Sequence, residues 1–301
     1  MRHMTILRYI DAVARCGSIR KAAEQLALTP SAMNRRIQSF EAELGERIFE
    51  RLPRGVRLNP AGELILHQGR RQIAELERVR SQIADLSGVR RGHVPVACSQ
   101  ALASYFLPAE IAAYAAQHPA VSFDVQVRDR LAAERAVADY AADLMLVFGA
   151  TVLPEVQTVL SVRQRLHAFM AADHPLAGHA SVRLRDCLRF PLALPSPAFG
   201  GRQMLERAVA RTSLTLTAAV SSDSFEFLKA LVARGQWVSF QIPIGAPAEG
   251  ADGLVSRPLD LRDVPEGVLV MGQLRGRALP VASARFMDQL ARTLAARFEV
   301  A

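Results

Sequence analysis

Apolar and polar residues alternate at helical spacing near the N-terminus, and the pattern predicts three short helices. The apolar positions of the first helix are Ile6, Tyr9, Ile10 and Val13. Ser18 is a suitable N-cap for the second helix, in which the small residues Ala22 and Ala23 allow another helix to cross closely. Thr29 can cap the third helix, with Pro30 at its first position.

The third predicted helix has two faces with different chemistry. Its apolar stripe, which ends before Gly45, consists of Met33, Ile37, Phe40 and Leu44. The opposite face carries short polar side chains and an arginine, namely Ser31, Asn34, Arg35 and Gln38. Such residues can read base edges in the major groove of DNA, and we predict that these four do so. A solvated surface helix is the alternative for this helix alone, but two short helices and a tight turn precede it, as in a helix-turn-helix.

A short extended segment follows the third helix, between Ile48 and Leu58. Its centre, Pro53-Arg54-Gly55, can form a turn between two arms, which predicts a β-hairpin wing. Polar and basic side chains on the third helix and the wing are expected to contact phosphates, and these are Thr29, Arg36, Arg51, Arg54 and Arg57.

The next segment predicts one long helix, which begins at Asn59 and Pro60 and continues to about Ser87. Its single apolar stripe consists of Leu66, Ile73, Leu76, Val79, Ile83 and Leu86. A long helix with one apolar stripe and little local core needs a partner, and a second copy of the chain is the simplest one. We therefore predict dimerisation through this helix, which would place two recognition helices on two DNA half-sites.

After a composition break at Arg90-Arg91-Gly92, short apolar strands alternate with helices, which predicts an α/β domain with mostly parallel sheets. Strands are predicted at residues 94–98, 121–127, 144–148, 166–171, 215–219, 238–242 and 268–271. Helices are predicted at residues 107–117, 131–141, 202–211, 225–234 and 281–298.

Positive charge is concentrated in the region of the three predicted helices. The chain has a formal net charge of +8, from 37 Lys and Arg against 29 Asp and Glu. Residues 1–60 hold 11 of the basic and 6 of the acidic residues, so a fifth of the chain carries more than half of the excess. A localised basic excess is typical of a protein that binds a polyanion, although a generally arginine-rich proteome is an alternative.

Other patterns narrow the class of protein. The three cysteines are far apart, so we expect no disulfide framework, and a reducing cytoplasm fits this spacing. The N-terminus does not read as a signal peptide, and no apolar run has the length of a membrane helix.

The sequence contains no HExxH, CxxC, GxGxxG or Walker A motif, and no catalytic constellation stands out. We therefore predict that the chain is not an enzyme and needs neither a metal nor a cofactor. His174 and His179 flank a Pro-Leu-Ala-Gly turn, and we expect a solvated loop there rather than a metal site.

Taken in order, the N-terminal motifs resemble the LysR-type transcriptional regulators. The matching segments are residues 17–26, 29–37, 40–41, 44–45, 48–51 and 58–62, with the same order, spacing and length. Pro30 and Asn34 stand where the family often has Gln and Ser, and Asn59 replaces the usual Thr but keeps its capping chemistry.

The resemblance extends to the C-terminal part and implies its architecture. It implies two Rossmann-like subdomains, akin to periplasmic binding proteins, joined by two crossing strands near residues 159–163 and 265–269. The expected fold class is thus α+β and multidomain. The expected parts are a winged helix-turn-helix at 1–60, a linker helix at 61–89 and an effector-binding domain at 90–301. Within the latter we expect subdomain I at about 93–160 and 268–301, and subdomain II at about 161–267.

Ligands in such sheets lie outside the carboxyl ends of the strands, where loops lead into helix N-termini. This rule places candidate effector-binding residues at Ser99, Gln100, Ala101, Arg128, Phe148, Gly149, Ser196, Phe199, Gly200, Ser222 and Gln241. Ser99 is the first choice among them, and a capping or loop role is the alternative for each residue alone. Trp237 stands where the family commonly has Gly, and we expect it to pack rather than to narrow the cleft.

These observations predict a DNA-binding transcriptional regulator whose promoter binding responds to a small-molecule inducer. The expected partners are double-stranded promoter DNA, further copies of the chain in a dimer or tetramer, the effector, and RNA polymerase as a further candidate. A solute-binding module of a transport system is one rival, which the N-terminal motif disfavours. The other rival is a sequence-tolerant DNA-binding protein with a ligand-free C-terminal domain.

Overall fold

The computed structural model describes residues 2–86, 91–149, 153–246 and 253–301. The chain divides into two compact units, Met1–Ile83 and Ala84–Ala301. Within the described ranges, no helix combines the length and the apolar character needed to cross a membrane.

The N-terminal unit is built from helices and one hairpin, as the sequence predicts. Its helices are α1 (Arg2–Cys16), α2 (Ile19–Gln25), α3 (Pro30–Leu44) and α4 (Pro60–Leu86, which runs past the unit's last residue). Its strands are β1 (Phe49–Leu52) and β2 (Gly55–Leu58), which pair antiparallel around a two-residue turn. Ser87 and Arg90, where the sequence places the helix end and a hinge, lie outside the described residues, as does the side chain of Leu86.

Side-chain caps fix the beginnings of three helices. The acceptors are Ser18 Oγ for Lys21 N, Thr29 Oγ1 for Ala32 N and Asn59 Oδ1 for Gly62 N, at 3.4, 3.3 and 2.8 Å. Asn59 also donates from Nδ2 to the carbonyl oxygen of Arg47 at 2.8 Å, which ties the start of α4 to the wing. Gly45 ends α3 in the left-handed conformation, with φ of 77°. The predicted capping residues are therefore confirmed.

The wing packs closely onto the loop after α1. Val56 N donates to the carbonyl oxygen of Gly17 at 3.0 Å. A Cβ atom on Gly55 would lie 2.3 Å from that oxygen, and Gly55 has φ of 105°. Glycine is thus required at this position both by space and by backbone conformation.

The C-terminal unit has ten strands and seven α-helices within the described residues. The strands are β3 (Gly92–Cys98), β4 (Val121–Val127), β5 (Leu144–Phe148), β6 (Val156–Gln164), β7 (His167–Ala171), β8 (Ala193–Pro195), β9 (Val220–Ser222), β10 (Ser239–Gln241), β11 (Leu254–Pro258) and β12 (Gly267–Leu274). The helices are α5 (Gln100–Ala103), α6 (Phe106–Gln117), α7 (Arg130–Ala138), α8 (Leu184–Cys187), α9 (Gly200–Val209), α10 (Phe225–Val232) and α11 (Val281–Arg297).

The sheets are only partly parallel, so the prediction of mostly parallel sheets is wrong. One sheet has the order β4-β3-β5-β12-β6, in which β3 runs parallel to β4 and β5 but β12 runs antiparallel to β5 and β6. The sheet β10-β7-β11 is antiparallel throughout, and β8-β9 is parallel. The reason is topological. The chain leaves the first sheet through β6 and re-enters it through β12, so these two neighbouring strands run in opposite directions.

The chain passes from the first of the two larger sheets to the second slightly later than the sequence predicts. Strand β6 stays paired with β12 as far as Gln164, and β7 of the second sheet begins at His167. The return passage ends at Gly267, which pairs with Gln164. Residues 159–163 therefore pair within the first sheet, and the chain crosses at 164–167 and again just before 267.

Several other boundaries differ from the expectations for local reasons. Tyr140 has φ of 59°, a left-handed backbone that ends α7 before the predicted residue 141. Residues 215–219 form no strand, and the pairing with β8 begins only at Val220. The sequence prediction missed α5, α8, β8 and β11. His174, expected in a solvated loop, is buried with its ring 4.4 Å from that of Phe190.

The core of the C-terminal unit includes a satisfied charge. Asp143, at the start of β5, is buried, and its carboxylate accepts from Arg277 Nη2 at 2.6 Å and from Ser283 Oγ at 2.5 Å.

Two of the three free cysteines, Cys98 and Cys187, are also buried, and burial raises the pKa of each thiol to about 12. Both therefore stay protonated at neutral pH.

We expect Ala27→Gly to raise the free energy of unfolding by about 0.5–1 kcal/mol. Ala27, in the turn between α2 and α3, has φ of 53°, which a Cβ atom disfavours. The control is Ala42→Gly at an exposed position inside α3, which should lower the same quantity by about 1 kcal/mol. Urea denaturation measures both, and equal losses would show that the turn is not strained.

His167 should make the unfolding free energy fall as the pH drops from about 6.5 to about 4. Burial, with the charges of Arg165 and Arg257, lowers the pKa of His167 to about 4, whereas the unfolded residue titrates near 6.5. The unfolded chain therefore takes up the proton first, and stability is lost as the pH falls.

Replacing His167 with Asn, which can still bond to Ser256 Oγ, should reduce this pH dependence. Part of it should remain, because burial also lowers the pKa of His174. His179→Asn, at an exposed position, is the control. Denaturation curves at pH 7 and pH 5 give the unfolding free energy of each variant at the two pH values. If the loss between pH 7 and pH 5 is as large in His167→Asn as in the unaltered protein, His167 is not the source of the pH dependence.

Candidate functional site

The outward face of α3 holds polar side chains on a well-anchored helix. Ser31, Arg35 and Gln38 are exposed and Asn34 is half-buried, while Met33 and Ile37 on the opposite side are buried in the core. Among the residues that the structure describes, Arg35 and Gln38 have no side-chain hydrogen bond or ion pair. Their donors and acceptors are thus available to a partner such as a base edge.

Arg36 points away from this face and contacts α1. Its Nη1 atom donates to the hydroxyl oxygen of Tyr9 at 2.7 Å, and the guanidinium lies 5.4 Å from the centre of the tyrosine ring. The contact fixes Arg36 but leaves its positive charge intact, so it can still attract a phosphate. Sequence periodicity assigned Tyr9 to the apolar stripe and missed this second role.

The predicted phosphate-contacting residues of the wing are exposed but differ in their partners. Arg57 is paired with Glu50, its neighbour across the hairpin, at 2.7 Å. Arg51 and Arg54 have no acidic partner within the described part of the chain. Thr29 uses its hydroxyl to cap α3. Arg51 and Arg54 therefore carry the wing's uncompensated positive charge.

The apolar stripe of α4 is buried at its beginning and exposed further along. Leu66 lies in the core of the N-terminal unit, and Ile73 packs against that core. Val79 and Ile83 are 37% and 58% exposed. Val79 and Ile83 are four residues apart on one face of the helix, so one partner can contact both.

In the C-terminal unit, the strand ends surround a small cavity of about 30 Å³, here called the inner cavity. Six of the predicted effector-binding residues line it, namely Ser99, Ala101, Phe148, Phe199, Gly200 and Gln241. Aromatic and aliphatic side chains fill most of the remaining wall, among them Leu166, Phe225 and Phe240. The strand-end rule thus brings together residues from both larger sheets at one place.

Ser99 is the most distinctive polar group of the inner cavity. It is buried, and its Oγ atom has no hydrogen-bond partner among the described residues. A buried hydroxyl without a partner costs about 1–3 kcal/mol, which a bound water or ligand can recover. The arrangement is therefore suited to receive a hydrogen-bonding group.

Four predicted residues do not line the inner cavity, and three of them make hydrogen bonds elsewhere. Gln100 Oε1 accepts from Phe225 N at 2.6 Å, and Ser196 N donates to the carbonyl oxygen of Ser222 at 2.9 Å. Ser222 Oγ accepts from the amide of Ser224, before α10. Arg128 is exposed after β4 and does not reach the cavity.

Arg130 is a cavity residue that the sequence prediction missed by two positions. It lines the inner cavity, and its Nη1 atom lies 2.6 Å from Oε1 of the buried Glu134. The other carboxylate oxygen of Glu134 accepts from Leu153 N at 3.2 Å. The spacing of four residues between Arg130 and Glu134 is the sequence feature that could have indicated this ion pair.

A polar cluster connects the α5–α6 segment to α10, and we call it the latch. Ser104 Oγ donates to Glu226 Oε1 at 2.5 Å, and Lys229 Nζ lies 2.6 Å from the same oxygen and donates to Tyr105 OH at 3.0 Å. Burial alone would raise the pKa of Glu226, but the bonds from Lys229 and Ser104 hold it below its ordinary value. Together with the Gln100–Phe225 bond, the latch holds the two sides of the cleft together.

A larger groove of about 760 Å³ adjoins the inner cavity, and we call it the outer groove. It is lined by one face of α9 and by the segment that leads into β12. Gly149, the remaining predicted effector residue, lies on its wall together with Phe148 and Gly200. Trp237 packs against the hydrophobic core and lines neither space.

Comparisons with known proteins agree on both units. Residues 4–63 match the family described as bacterial regulatory helix-turn-helix protein, lysR family, and residues 87–295 match the LysR substrate binding domain. A RuBisCO operon transcriptional regulator from Allochromatium vinosum is 28% identical over 233 residues, which cover 77% of each chain.

Solved structures show the same fold along nearly the whole chain. A full-length OxyR variant from Pseudomonas aeruginosa superposes with a TM-score of 0.70 at 21% identity, covering 97% of this chain and 94% of that one. Full-length CbnR in complex with its target DNA gives a TM-score of 0.64 at 19% identity, covering 96% and 99%. With both of its parts matched, the chain belongs to the LysR family of bacterial transcriptional regulators.

Proposed function

We propose that this regulator reads its operator with Ser31, Asn34, Arg35 and Gln38 and senses a small effector at the inner cavity. The observation that carries the first part is the exposed face of α3, on which Arg35 and Gln38 have no partner among the described residues. Capping by Thr29 and burial of Met33 and Ile37 fix the orientation of this face. A fixed helix with free donors and acceptors suits base reading in a major groove.

Phosphate contacts would then set the register of α3 on the duplex. Arg51 and Arg54 on the wing supply uncompensated charge, and Arg36 is held in place by Tyr9. Thr29 and Arg57 complete the predicted set, although Arg57 must share its charge with Glu50. Such contacts strengthen binding to all DNA sequences and make it sensitive to salt.

The exposed part of the α4 stripe supports a dimer. Val79 and Ile83 recur at helical spacing after the part of the helix that packs on its own core. Burying them against a second α4 would remove apolar area from water at about 25 cal/mol per Å². Pairing of such dimers through the effector-binding domains into a tetramer, contact with RNA polymerase and a cytoplasmic location stay predictions.

The size of the inner cavity implies that effector binding changes the protein. A space of about 30 Å³ holds a single water molecule, so an organic effector requires the surrounding side chains to move or the cleft to open. The latch and the Gln100–Phe225 bond hold the cleft in its present state. An effector that binds the opened state more tightly would shift the population toward it and alter DNA binding.

We expect Arg35→Ala to weaken binding to the operator more than binding to unrelated DNA, by about 1–3 kcal/mol on the operator. Arg54→Ala should weaken both to a similar extent, because a phosphate contact carries no sequence information. Fluorescence anisotropy with a labelled fragment of the protein's own upstream DNA and a scrambled duplex measures the two losses.

Salt titrations provide the control for this comparison. Arg54→Ala should lower the slope of log affinity against log salt by about one, as expected for one lost phosphate contact. Equal losses on both duplexes for Arg35→Ala would remove this residue from the base-reading set.

Val79→Glu should shift the protein toward monomers, because it places a charge in the proposed helix pair. Leu64→Glu is the matched control, since Leu64 is 74% exposed on the same helix but lies off the stripe. Analytical ultracentrifugation over a range of concentrations measures the dissociation constant of the dimer. An unchanged constant for Val79→Glu, or an equal loss for Leu64→Glu, would place the dimer contact elsewhere.

A further inference from the structure

The outer groove is walled by one continuous face of α9 and the residues that follow it. The residues on this face recur every three or four positions, and they are Gly200, Gln203, Met204, Arg207, Ala208 and Arg211. The facing wall is the segment that leads into β12, including Leu261, Arg262 and Pro265. A volume of about 760 Å³ lies within the range of pockets that bind small organic molecules.

The charges of the outer groove are unequally compensated. Its two carboxylates are engaged from outside the groove, Asp263 by Arg183 at 2.7 Å and Glu266 by Arg163 at 3.7 Å. Arg130 and Arg262 each have an acidic partner, Glu134 and Asp260 respectively. Arg207 and Arg211 have no side-chain partner among the residues that the structure describes.

Arg207 and Arg211 stand one helical turn apart, at the end of α9 and directly after it. Both side chains are exposed, and like charges at about this spacing repel each other weakly, so an anion that contacts both would remove an unfavourable interaction. The other side of the same helix shows the usual solution, because Arg202 is paired with Glu206 four residues later at 2.7 Å. The two groove-facing arginines thus differ from Arg202 in keeping their positive charge available to a ligand.

The remainder of the lining is largely apolar. Side chains of Phe148, Leu184, Met204, Leu214 and Val268 contribute to it. A ligand that fits this surface has one anionic group and a compact apolar body. A guanidinium pair suits a carboxylate or a phosphate ester equally, since both accept two hydrogen bonds from Arg.

We propose that the outer groove is a second ligand site, which binds a small organic anion between Arg207 and Arg211 with its apolar body on the wall around Met204. The site is separate from the inner cavity, although Arg130, Phe148, Ala198 and Gly200 line both spaces. An occupant of the groove therefore contacts the same wall that an effector in the inner cavity would displace.

The test titrates the full-length protein with three probes of similar size by isothermal titration calorimetry. Phenylacetate and phenyl phosphate carry a carboxylate and a phosphate ester, and 2-phenylethanol carries no charge. We expect at least one anionic probe to bind ten times more tightly than the alcohol, and the stronger of the two identifies the preferred anion. Equal affinities for all three, or no binding at millimolar concentration, would overturn the proposal.

Paired substitutions locate the binding. Arg207→Gln with Arg211→Gln should weaken the preferred anion at least tenfold and should not lower the unfolding midpoint, because a repulsive pair is removed. Arg185→Gln with Arg189→Gln removes two exposed charges outside the groove and should leave the affinity within twofold. Equal losses in both double variants would show attraction by net charge only and would contradict a site.

Methyl labelling of methionine separates this site from the inner cavity. Met204 lines the outer groove, and no methionine among the described residues lines the inner cavity. The Met204 methyl resonance, assigned with Met204→Leu, should therefore shift on addition of the probe. Binding without this shift would overturn the outer-groove site. DNA binding and effector sensing at the inner cavity would remain untouched by that result.

Discussion

The close approach of α2 and α3 is the constraint on which the DNA-facing surface depends. Ala22 and Ala23 of α2 are buried in the core of the N-terminal unit, which also contains Met33 and Ile37 of α3. Protein interiors are packed as densely as organic crystals, so larger side chains here would push α3 outward or tilt it. The caps at Thr29 and Gly45 fix both ends of the helix, and the outward direction of Ser31, Arg35 and Gln38 follows from this packing.

Much of the N-terminal unit could be predicted because its determinants are local. Cap residues, a proline at a first helical position and stripes at helical spacing each act within a few residues of the chain. The contacts that the sequence did not reveal depend on how separate elements pack or pair. The Tyr9–Arg36 contact spans 27 residues, and the Glu50–Arg57 pair depends on the hairpin register.

The fold of the C-terminal unit could be predicted only in part. Apolar runs indicated most strands, but their directions depend on where β6 leaves and β12 re-enters the sheet, which no local pattern records. The rule that ligands bind at strand ends found Ser99, Phe148 and Gln241, which meet at the inner cavity. It could not show that Gln100 and Ser222 accept hydrogen bonds from the backbone amides of Phe225 and Ser224, or that Arg130 reaches the cavity. It also gave no indication of how little space the aromatic side chains leave.

Footprinting on the protein's own upstream DNA measures whether this regulator recognises one DNA site specifically. The measurement uses unrelated DNA as competitor and a range of salt concentrations. We expect a discrete protected site with dyad symmetry, because a dimer presents two recognition helices. Diffuse protection that spreads along the fragment, or none above competitor at any salt concentration, would contradict it.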